Sequence, residues 1–263
     1  MNKHVDYHEH LFLWKELLRT GLQEDGWQWD WTALGTVTSK PLSAKVVAKS
    51  QGIWAGTGLV AALNAIAQEL GSPAGFAKCK LQDGDALKLG STVVELKGPA
   101  RLVLALERPF LNLASYVSGI ATATRALVDE AERACPSSPP RITSTRKTLP
   151  GYRDVGVIGV RAGGGYSHRV SLSGGVLIKE NHIAAAGSVK KAIEGVRETA
   201  PHGLKIEIEV RSLRELQEAI DAKADGTLLD NFTPAQVRDA LVIVDKRKGA
   251  RPIVEVSGGI HLS

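Results

Sequence analysis

The basic side chains between residues 144 and 183 are the strongest candidates for chemistry in this sequence. They stand among glycines with almost no acid to offset them: Arg146, Lys147, Arg153, Arg161, His168, Arg169 and Lys179. Arginine offers paired donors to a carboxylate or phosphate, and lysine offers a compact point charge. Gly163, Gly164 and Gly165 lack a Cβ, so the backbone there is expected to approach a ligand closely or to adopt positive φ. A solvated basic loop is the plainer alternative, but the mixture of donor types favours a site for a small polyanion.

Composition restricts the class of partner. The chain has 263 residues, a net charge of +5 and a pI of about 9.2, which alone would allow nucleic acid. Aromatic residues make up only 5%, and no zinc-finger spacing or RNA-binding aromatic motif is present, so no nucleic-acid partner is expected.

Cys79 and Cys135 are too few for a disulfide framework, which suits a reducing cytoplasm. No stretch approaches the roughly 20 apolar residues of a membrane helix, and residues 1–18 carry charges throughout, so neither a membrane span nor a signal peptide is expected.

The first part of the chain mixes helical and strand patterns without regular alternation, which indicates an α+β arrangement. Periodicity predicts helices over residues 10–20, 57–70 and 110–133. It predicts strands over residues 44–50, 53–55, 75–81 and 92–96. Gly21 is expected to end the first helix. Trp27, Trp29 and Trp31 alternate with polar residues, which favours one face of an extended segment.

The proline-rich segment 135–141 is the clearest break in the chain, because proline cannot continue a helix. We place the change of domain near it and expect domains over residues 1–112 and 113–263, joined by a helix over 110–134. Beyond the break, short apolar runs alternate with helical patterns, which implies a parallel sheet with helical crossovers and favours a β/α barrel. The helix caps expected in this part are Ser188 and two capping boxes, Ser212 with Glu215 and Thr233 with Gln236.

Four polar residues fall at or just past the C-terminal ends of the strands predicted there: Lys179, Glu209, Asp230 and Ser257. In a β/α barrel those ends form the active-site face. The plainer alternatives are an outward-facing strand residue for Glu209 and an ordinary turn for Asp230. Two carboxylates beside many cations are expected to hold Mg²⁺ or ribose hydroxyls, or to stabilise developing positive charge, which points to a phosphorylated sugar. No GxGxxG motif follows a predicted strand, so a dinucleotide cofactor is not expected.

Six motifs follow one another along the chain: TRKTLPGYR, GGGYSHR, LIKENHI, EIEV, LLDN and EVSGGI. In this order and at these intervals they resemble the quinolinate phosphoribosyltransferase family. The first domain agrees, with AGTG, DGD and the helical region GPARLVLALERPFLNLASYVSGIATATR, so the resemblance covers nearly the whole chain. It implies an N-terminal α/β sandwich domain and a C-terminal open, incomplete β/α barrel, which is α/β plus α+β overall. It also implies a homodimer or a hexamer of dimers.

The resemblance implies a glycosyltransferase reaction with Mg²⁺ as cofactor. Quinolinate and phosphoribosyl pyrophosphate would give nicotinate mononucleotide, pyrophosphate and CO₂, which brings quinolinate into NAD biosynthesis. Quinolinate is a dianion and needs paired cations. Its ring nitrogen would attack the anomeric carbon as pyrophosphate leaves, and the resulting pyridinium is an electron sink, so decarboxylation is expected to need no further cofactor.

The resemblance also assigns roles to residues by motif. The quinolinate and phosphate pocket should be lined by five cationic side chains: Arg146, Lys147, His168, Arg169 and Lys179. Arg108 should reach the site of a neighbouring subunit, and Thr145 should contact phosphate. Glu209 and Asp230 should face the ribose and the Mg²⁺–pyrophosphate, with Mg²⁺ held indirectly through substrate or water. The 5′-phosphate should lie against Ser257, Gly258 and Gly259. The expected catalytic groups are Lys147, Lys179, Glu209 and Asp230.

The chain departs from the family pattern at several places, and two other functions remain open. Residues 156–159 replace a run that is often acidic in the family, so a differently shaped loop is expected, and Ser167 stands where some members have Asn. The sequence ends after SGGI, where the family continues with a second phosphate contact, so the C-terminal end is expected to be truncated. The alternatives are a pyrophosphorylase-like paralogue of the molybdenum-transport-associated type and a non-catalytic anion-binding relative. The combination that favours quinolinate is Arg108, His168, Arg169 and Lys179.

Overall fold

The computed structural model describes residues 10–38, 40–247 and 249–262. It divides the chain into two compact units, Met1–His168 and Arg169–Ser263. The expected absence of a signal peptide concerns a segment whose first nine residues lie outside the described part. Within the described residues, no helix is both long enough and apolar enough to cross a membrane.

The first unit is built on a small antiparallel sheet with helices packed against it. Its strands are β1 (Pro41–Val47), β2 (Gly52–Ile53), β3 (Ala77–Cys79), β4 (Ala86–Leu87) and β5 (Thr92–Pro99). Its helices are α1 (Leu11–Glu24), α2 (Trp31–Thr36), α3 (Thr57–Glu69), α4 (Ala100–Ala134) and α5 (Arg153–Ala162). The main sheet has the strand order β1-β5-β3, and β2 pairs separately with β4.

The core of the first unit lies where α1, α3 and α4 pack on one another and on the sheet. Trp14 and Leu18 are buried on α1, Leu63 on α3, and Leu106 and Phe110 on α4. These residues recur at helical spacing, so one face of each helix is apolar and is removed from water. Because α4 contacts α1, α3, α5 and the main sheet, it is the helix around which this unit is packed.

The second unit is a parallel sheet with helical crossovers. Its strands are β6 (Val176–Ile178), β7 (Ile206–Val210), β8 (Gly226–Asp230) and β9 (Ile253–Ser257), which pair in that order. Its helices are α6 (Glu180–Ala186), α7 (Val189–Thr199), α8 (Leu213–Asp221) and α9 (Pro234–Asp245). The apolar side chains of one sheet face pack with those of the helices in a single cluster. This arrangement is the part of an open β/α barrel that the sequence predicts.

The helices of the second unit begin at the predicted caps. Ser188 caps α7 with its side chain. Thr233 and Gln236 form a complete capping box at the start of α9. Ser212 accepts a hydrogen bond from the N–H of Glu215, which is one half of the predicted box at α8. Such caps are predictable because they depend only on residues three positions apart.

Two predictions in the first unit are wrong. α1 continues through Gly21 to Glu24, and a Cβ on Gly21 would lie 2.8 Å from the Cβ of Pro109. The glycine is therefore needed for close packing against α4 and does not end the helix. Trp27–Trp29 form a 3₁₀ turn and Trp31 begins α2, so the alternating tryptophans do not line an extended segment.

Two further differences concern helices. The helix predicted over residues 110–134 begins at Ala100, because α4 accommodates Pro109 in its interior. The domain boundary expected between residues 112 and 113 falls inside this helix and stays a prediction. Residues 156–159, for which the sequence predicts a loop of unusual shape, lie within α5, where the neighbouring Val155 is fully buried.

Candidate active site

The carboxyl ends of the parallel strands carry the predicted polar residues of the second unit. Lys179 directly follows β6, Glu209 is next to last in β7, Asp230 ends β8 and Ser257 ends β9. The predicted position at strand ends is confirmed. The residue before each of them packs in the helix-covered core: Ile178, Ile208, Leu229 and Val256. Because side chains alternate along a strand, the polar residues face the opposite side of the sheet.

Lys179 and Glu209 form an ion pair at this edge. The Nζ of Lys179 lies 2.7 Å from Oε2 of Glu209, whose side chain is only 11% exposed, whereas that of Lys179 is 43% exposed. The backbone N–H of Lys179 donates to Nδ1 of His182 at 2.9 Å, which fixes the main chain at the start of α6. A half-exposed ammonium beside a shielded carboxylate can meet an anionic reactant without leaving its partner.

Arg211 and Glu180 lie at the same strand ends, although the motifs assign neither of them a role. Nη1 of Arg211 contacts Oε2 of Glu180, and its Nε lies 3.7 Å from Oδ2 of Asp230. One signal in the sequence pointed to them, because Glu180 follows Lys179 and Arg211 directly follows β7, but a polar residue at such a place also fits a solvated loop. The rule that polar residues at strand ends form the site applies to both.

A tight turn with two glycines follows β9. Gly258 and Gly259 have φ values of +83° and +64°, a region that glycine adopts at little cost. A Cβ on Gly258 would lie 2.2 Å from Oδ1 of Asn231. The N–H of Asn231 in turn donates to the carbonyl of Ser257 at 2.8 Å. A turn of this kind presents backbone N–H groups and suits an anion.

The predicted anion-binding residues of the first unit lie on two adjacent segments: Thr145, Arg146, Lys147 and His168. The segments pair through a parallel bridge between Thr143 and Tyr166. The N–H of His168 donates to Oγ of Ser144 at 3.2 Å. Nε of Arg146 is buried and has no hydrogen-bond partner among the described residues. A buried donor without a partner is costly, and a ligand oxygen would satisfy it.

The glycine run after α5 serves packing within the first unit. A Cβ on Gly163 would lie 2.4 Å from the carbonyl oxygen of Ala121, and one on Gly165 would lie 2.7 Å from Cγ1 of Val160. Gly164 has a φ of +89°, so the expectation of positive φ is confirmed at that position. The close approach that these glycines allow is to other parts of the protein, and a ligand at Gly163 and Gly165 stays a prediction.

Two predicted cations lie outside these groups. Arg108 is exposed on α4, and within the described part of the chain it has no hydrogen bond or ion pair. Nη1 of Arg169 donates to the carbonyl of Gly175 at 3.1 Å, on the segment that leads to β6. An exposed guanidinium such as that of Arg108 is accessible to another molecule.

The carboxylates at the strand ends fit a hard cation. Glu209 and Asp230 offer oxygen donors that are 11% and 20% exposed, respectively. Mg²⁺ binds through one or two carboxylates together with waters and substrate phosphates. Lys179 and Arg211 lie beside these carboxylates, and their positive charges repel a metal ion that has no other ligand. The carboxylates are therefore better suited to a metal ion that is bound to a phosphate.

The same sheet face carries two carboxylates that the sequence analysis missed. Glu207 precedes Glu209 by two residues, and Glu255 precedes Ser257 by two residues. The strand register places Glu209, Leu228 and Glu255 in one row. The alternation in EIEV and in IVEVS would have identified both residues, because strand residues two apart share a face.

Comparisons with known proteins agree over most of the chain. The family model "Quinolinate phosphoribosyl transferase, N-terminal domain" matches residues 30–118, and "Quinolinate phosphoribosyl transferase, C-terminal domain" matches residues 120–263. A probable nicotinate-nucleotide pyrophosphorylase (carboxylating) of Bacillus subtilis is 40% identical over 248 residues, which is 94% of this chain and 82% of that protein. The human nicotinate-nucleotide pyrophosphorylase (carboxylating) is 39% identical over 222 residues, which is 84% of this chain and 72% of that protein.

A solved structure gives the same result for the fold. The nicotinate-nucleotide pyrophosphorylase of Francisella tularensis superposes with a TM-score of 0.84 at 31% identity, covering 95% of this chain and 84% of that one. The expected fold class, an N-terminal α/β domain followed by an open β/α barrel, is thereby confirmed.

Proposed function

Because the chain belongs to the quinolinate phosphoribosyltransferase family, we propose that it transfers the phosphoribosyl group of phosphoribosyl pyrophosphate to quinolinate. The reaction forms nicotinate mononucleotide, releases pyrophosphate and CO₂, and brings quinolinate into NAD biosynthesis. The chain is thus a pentosyltransferase. The observation that carries this function is the Lys179–Glu209 pair at the strand ends, on the same edge as Asp230 and the glycine turn after Ser257.

We assign quinolinate binding to the cationic side chains. The substrate carries two carboxylates, each of which is best held by charge-assisted hydrogen bonds. The buried Nε of Arg146 supports this assignment, because it lacks an acceptor in the described chain. The exposed ammonium of Lys179 supports it as well. The full set assigned to the substrate anions is Thr145, Arg146, Lys147, His168, Arg169 and Lys179.

The transfer step develops positive charge on the ribose. The ring nitrogen of quinolinate forms a bond to the anomeric carbon while the bond from that carbon to pyrophosphate breaks. We assign the stabilisation of this charge to Glu209 and Asp230 at the strand ends, and the 2.7 Å contact of Lys179 with Glu209 supports this assignment. Mg²⁺ held by the same two carboxylates, through water or substrate oxygens, would offset the charge on pyrophosphate.

The remaining steps concern the phosphate and the carboxylate that is lost. The turn at Ser257, Gly258 and Gly259 is assigned to the 5′-phosphate, since its positive φ values present backbone N–H groups. After transfer, the pyridinium nitrogen withdraws electrons from the neighbouring ring carbon. The carboxylate on that carbon leaves as CO₂, and the electron pair that remains on the carbon takes up a proton.

We also propose a homodimer in which Arg108 reaches the site of the partner subunit. Its exposure on α4 and its lack of an ion pair within the described residues support this role.

A cytoplasmic location is proposed on separate grounds. Cys79 and Cys135 are both free thiols, and a reducing compartment preserves that state.

Release of labelled CO₂ tests the proposed reaction. The full chain is incubated with quinolinate labelled in the carboxyl group next to the ring nitrogen, with phosphoribosyl pyrophosphate and with Mg²⁺. Each component is then omitted in turn. We expect release only when all three are present. A chain that is folded by circular dichroism but releases no CO₂, or releases it without phosphoribosyl pyrophosphate, would contradict the proposal.

A further inference from the structure

Local structure places Arg211 firmly at the strand ends. It directly follows β7 and precedes Ser212, the N-cap of α8. Its backbone N–H donates to Oε2 of Glu215 at 2.8 Å, so the main chain is held from the helix side as well. The side chain of Arg211 therefore starts from a well-defined point at the edge of the sheet.

The side chain of Arg211 bridges the two neighbouring strand ends. β7 lies between β6 and β8 in the sheet. On the β6 side, Nη1 of Arg211 contacts the carboxylate of Glu180, which begins α6. On the β8 side, its Nε lies 3.7 Å from Oδ2 of Asp230. One guanidinium, 51% exposed, thus stands between two carboxylates that would otherwise share this edge.

Charge at this edge depends on Arg211. Lys179 is engaged with Glu209 at 2.7 Å, whereas Arg211 is the cation that pairs with Glu180 and with Asp230. Carboxylates that lie close together attract a divalent cation. A guanidinium beside them weakens the binding of that cation. The two positive charges repel each other, and the cation must also displace the existing ion pair.

We infer that Arg211 is a positioning residue that serves as an internal counter-ion for Glu180 and Asp230. In the substrate-free chain it keeps a divalent cation from binding at Asp230 before phosphoribosyl pyrophosphate supplies its phosphate oxygens. Phosphate oxygens of the bound sugar would offset the repulsion from Arg211, so Asp230 would hold the metal together with the substrate. This inference rests on the proposed role of Asp230 toward Mg²⁺.

A metal titration without turnover tests this role. The substrate-free full chain is titrated with Mn²⁺ as a paramagnetic substitute for Mg²⁺, and the free ion is measured by electron paramagnetic resonance. Arg211→Gln is compared with Arg211→Lys, which keeps the charge. The control is Arg214→Gln, which removes the same charge from an 83% exposed side chain of α8. We expect Arg211→Gln to bind Mn²⁺ about tenfold more tightly than the wild type, and the other two variants to resemble the wild type.

The outcomes separate this inference from the proposed reaction. An Mn²⁺ affinity of Arg211→Gln that equals or falls below that of the wild type would overturn the inference, as would an equal gain in Arg214→Gln. If that happens while the wild type releases CO₂, only the role of Arg211 is lost. If the titration gives the expected tightening while no CO₂ is released, the role of Arg211 stands and the proposed reaction is lost.

Discussion

Lys179 and Glu209 meet at 2.7 Å, although the carboxylate is largely shielded from water and the ammonium is not. A shielded carboxylate that loses its cation is destabilised, so Glu209 depends on Lys179 as its partner. Removal of Lys179 therefore has two effects on the proposed reaction. The substrate anion loses a point charge, and the carboxylate that is placed to stabilise the ribose cation loses the contact that holds it.

We predict that Lys179→Ala and Lys147→Ala each lower kcat/KM about 10²–10³-fold, by analogy with the removal of one electrostatic donor from a transition state. Initial rates of CO₂ release measure this effect, and circular dichroism checks that the fold survives. Lys190→Ala is the matched control, because that side chain is 72% exposed on α7 and pairs with Glu194 of the same helix. Near-normal turnover in both site variants would refute the assignment.

At this scale the sequence predicts residues whose position follows from a short pattern. Lys179, Glu209 and Asp230 were predictable because each is a polar residue at the end of an apolar run. Arg211 was not, because an arginine just before a helix cap also fits a solvated loop. Only the pairing of β7 with strands on both sides shows that Arg211 lies between two carboxylates.

At the scale of elements, glycines set how closely α5 approaches α4. A Cβ on Gly159 would lie 2.8 Å from side-chain atoms of Ile120, and one on Gly163 would lie 2.4 Å from the carbonyl oxygen of Ala121. The two glycines are four residues apart and so lie on one side of the helix end. Tyr166 follows soon after α5 and pairs with Thr143, which precedes the helix. The packing of α5 on α4 therefore also supports the segment that carries His168.

We predict that Gly163→Ala lowers the free energy of unfolding by about 1–3 kcal/mol, because backbone must shift to admit the methyl group. The control is Gly156→Ala inside α5, the helix that Gly163 caps, where the added Cβ would meet Cγ2 of Thr148 at an ordinary 3.7 Å. That change should raise stability by about 0.5–1 kcal/mol, since alanine favours a helix interior. Urea unfolding curves measure both, and equal stability of the two variants would contradict this account of α5.

A pH-dependent contribution to stability is expected between α1 and α3. Lys15, and to a lesser extent Arg19, hydrogen-bond to Glu69 and hold the pKa of its carboxyl below the usual 4.5. A lowered pKa in the folded state adds stability that is present above the unfolded pKa and is lost as pH falls through the folded one. Glu69→Gln should therefore cost about 0.2–1 kcal/mol at pH 7, the range for exposed pairs, and almost nothing at about pH 2, where both states are protonated. A difference of the same size at both pH values in urea unfolding would contradict this.

Elements with local signals were predicted, and elements decided by distant contacts were not. The capping box of Thr233 and Gln236 is set within one helical turn, and it was predicted. Gly21 was misinterpreted because its role depends on Pro109, which is far away in sequence. The tryptophans from Trp27 to Trp31 alternate with polar residues, but such a short pattern also fits a 3₁₀ turn followed by a helix.

At the scale of the whole molecule, the proposed homodimer makes each site depend on two chains. We predict that Arg108→Ala and Lys179→Ala are each nearly inactive alone. After subunit exchange in an equal mixture, a mixed dimer would have one intact site, and about a quarter of wild-type activity should return. Measured exchange with no recovery of CO₂ release would contradict the assignment of Arg108 to the partner's site.

Six motifs in order over residues 145–260, together with AGTG, DGD and the helical region of the first domain, predicted the family and the fold class. The division of the chain was harder to predict. The proline-rich segment 135–141 is the strongest break in the sequence, but the compact units divide after His168, because residues 142–144 pair with residues 166–168. Such a pairing across a helix leaves no local signal.

In the proposed reaction, this chain joins a phosphoribosyl group to quinolinate and removes one carboxylate. Mass spectrometry of the products formed from quinolinate, phosphoribosyl pyrophosphate and Mg²⁺ tests both parts together. We expect nicotinate mononucleotide with the wild-type chain and almost none with Lys179→Ala under the same conditions. Accumulation of a mononucleotide that keeps both carboxylates, or no mononucleotide from the folded wild-type chain, would refute the proposed reaction.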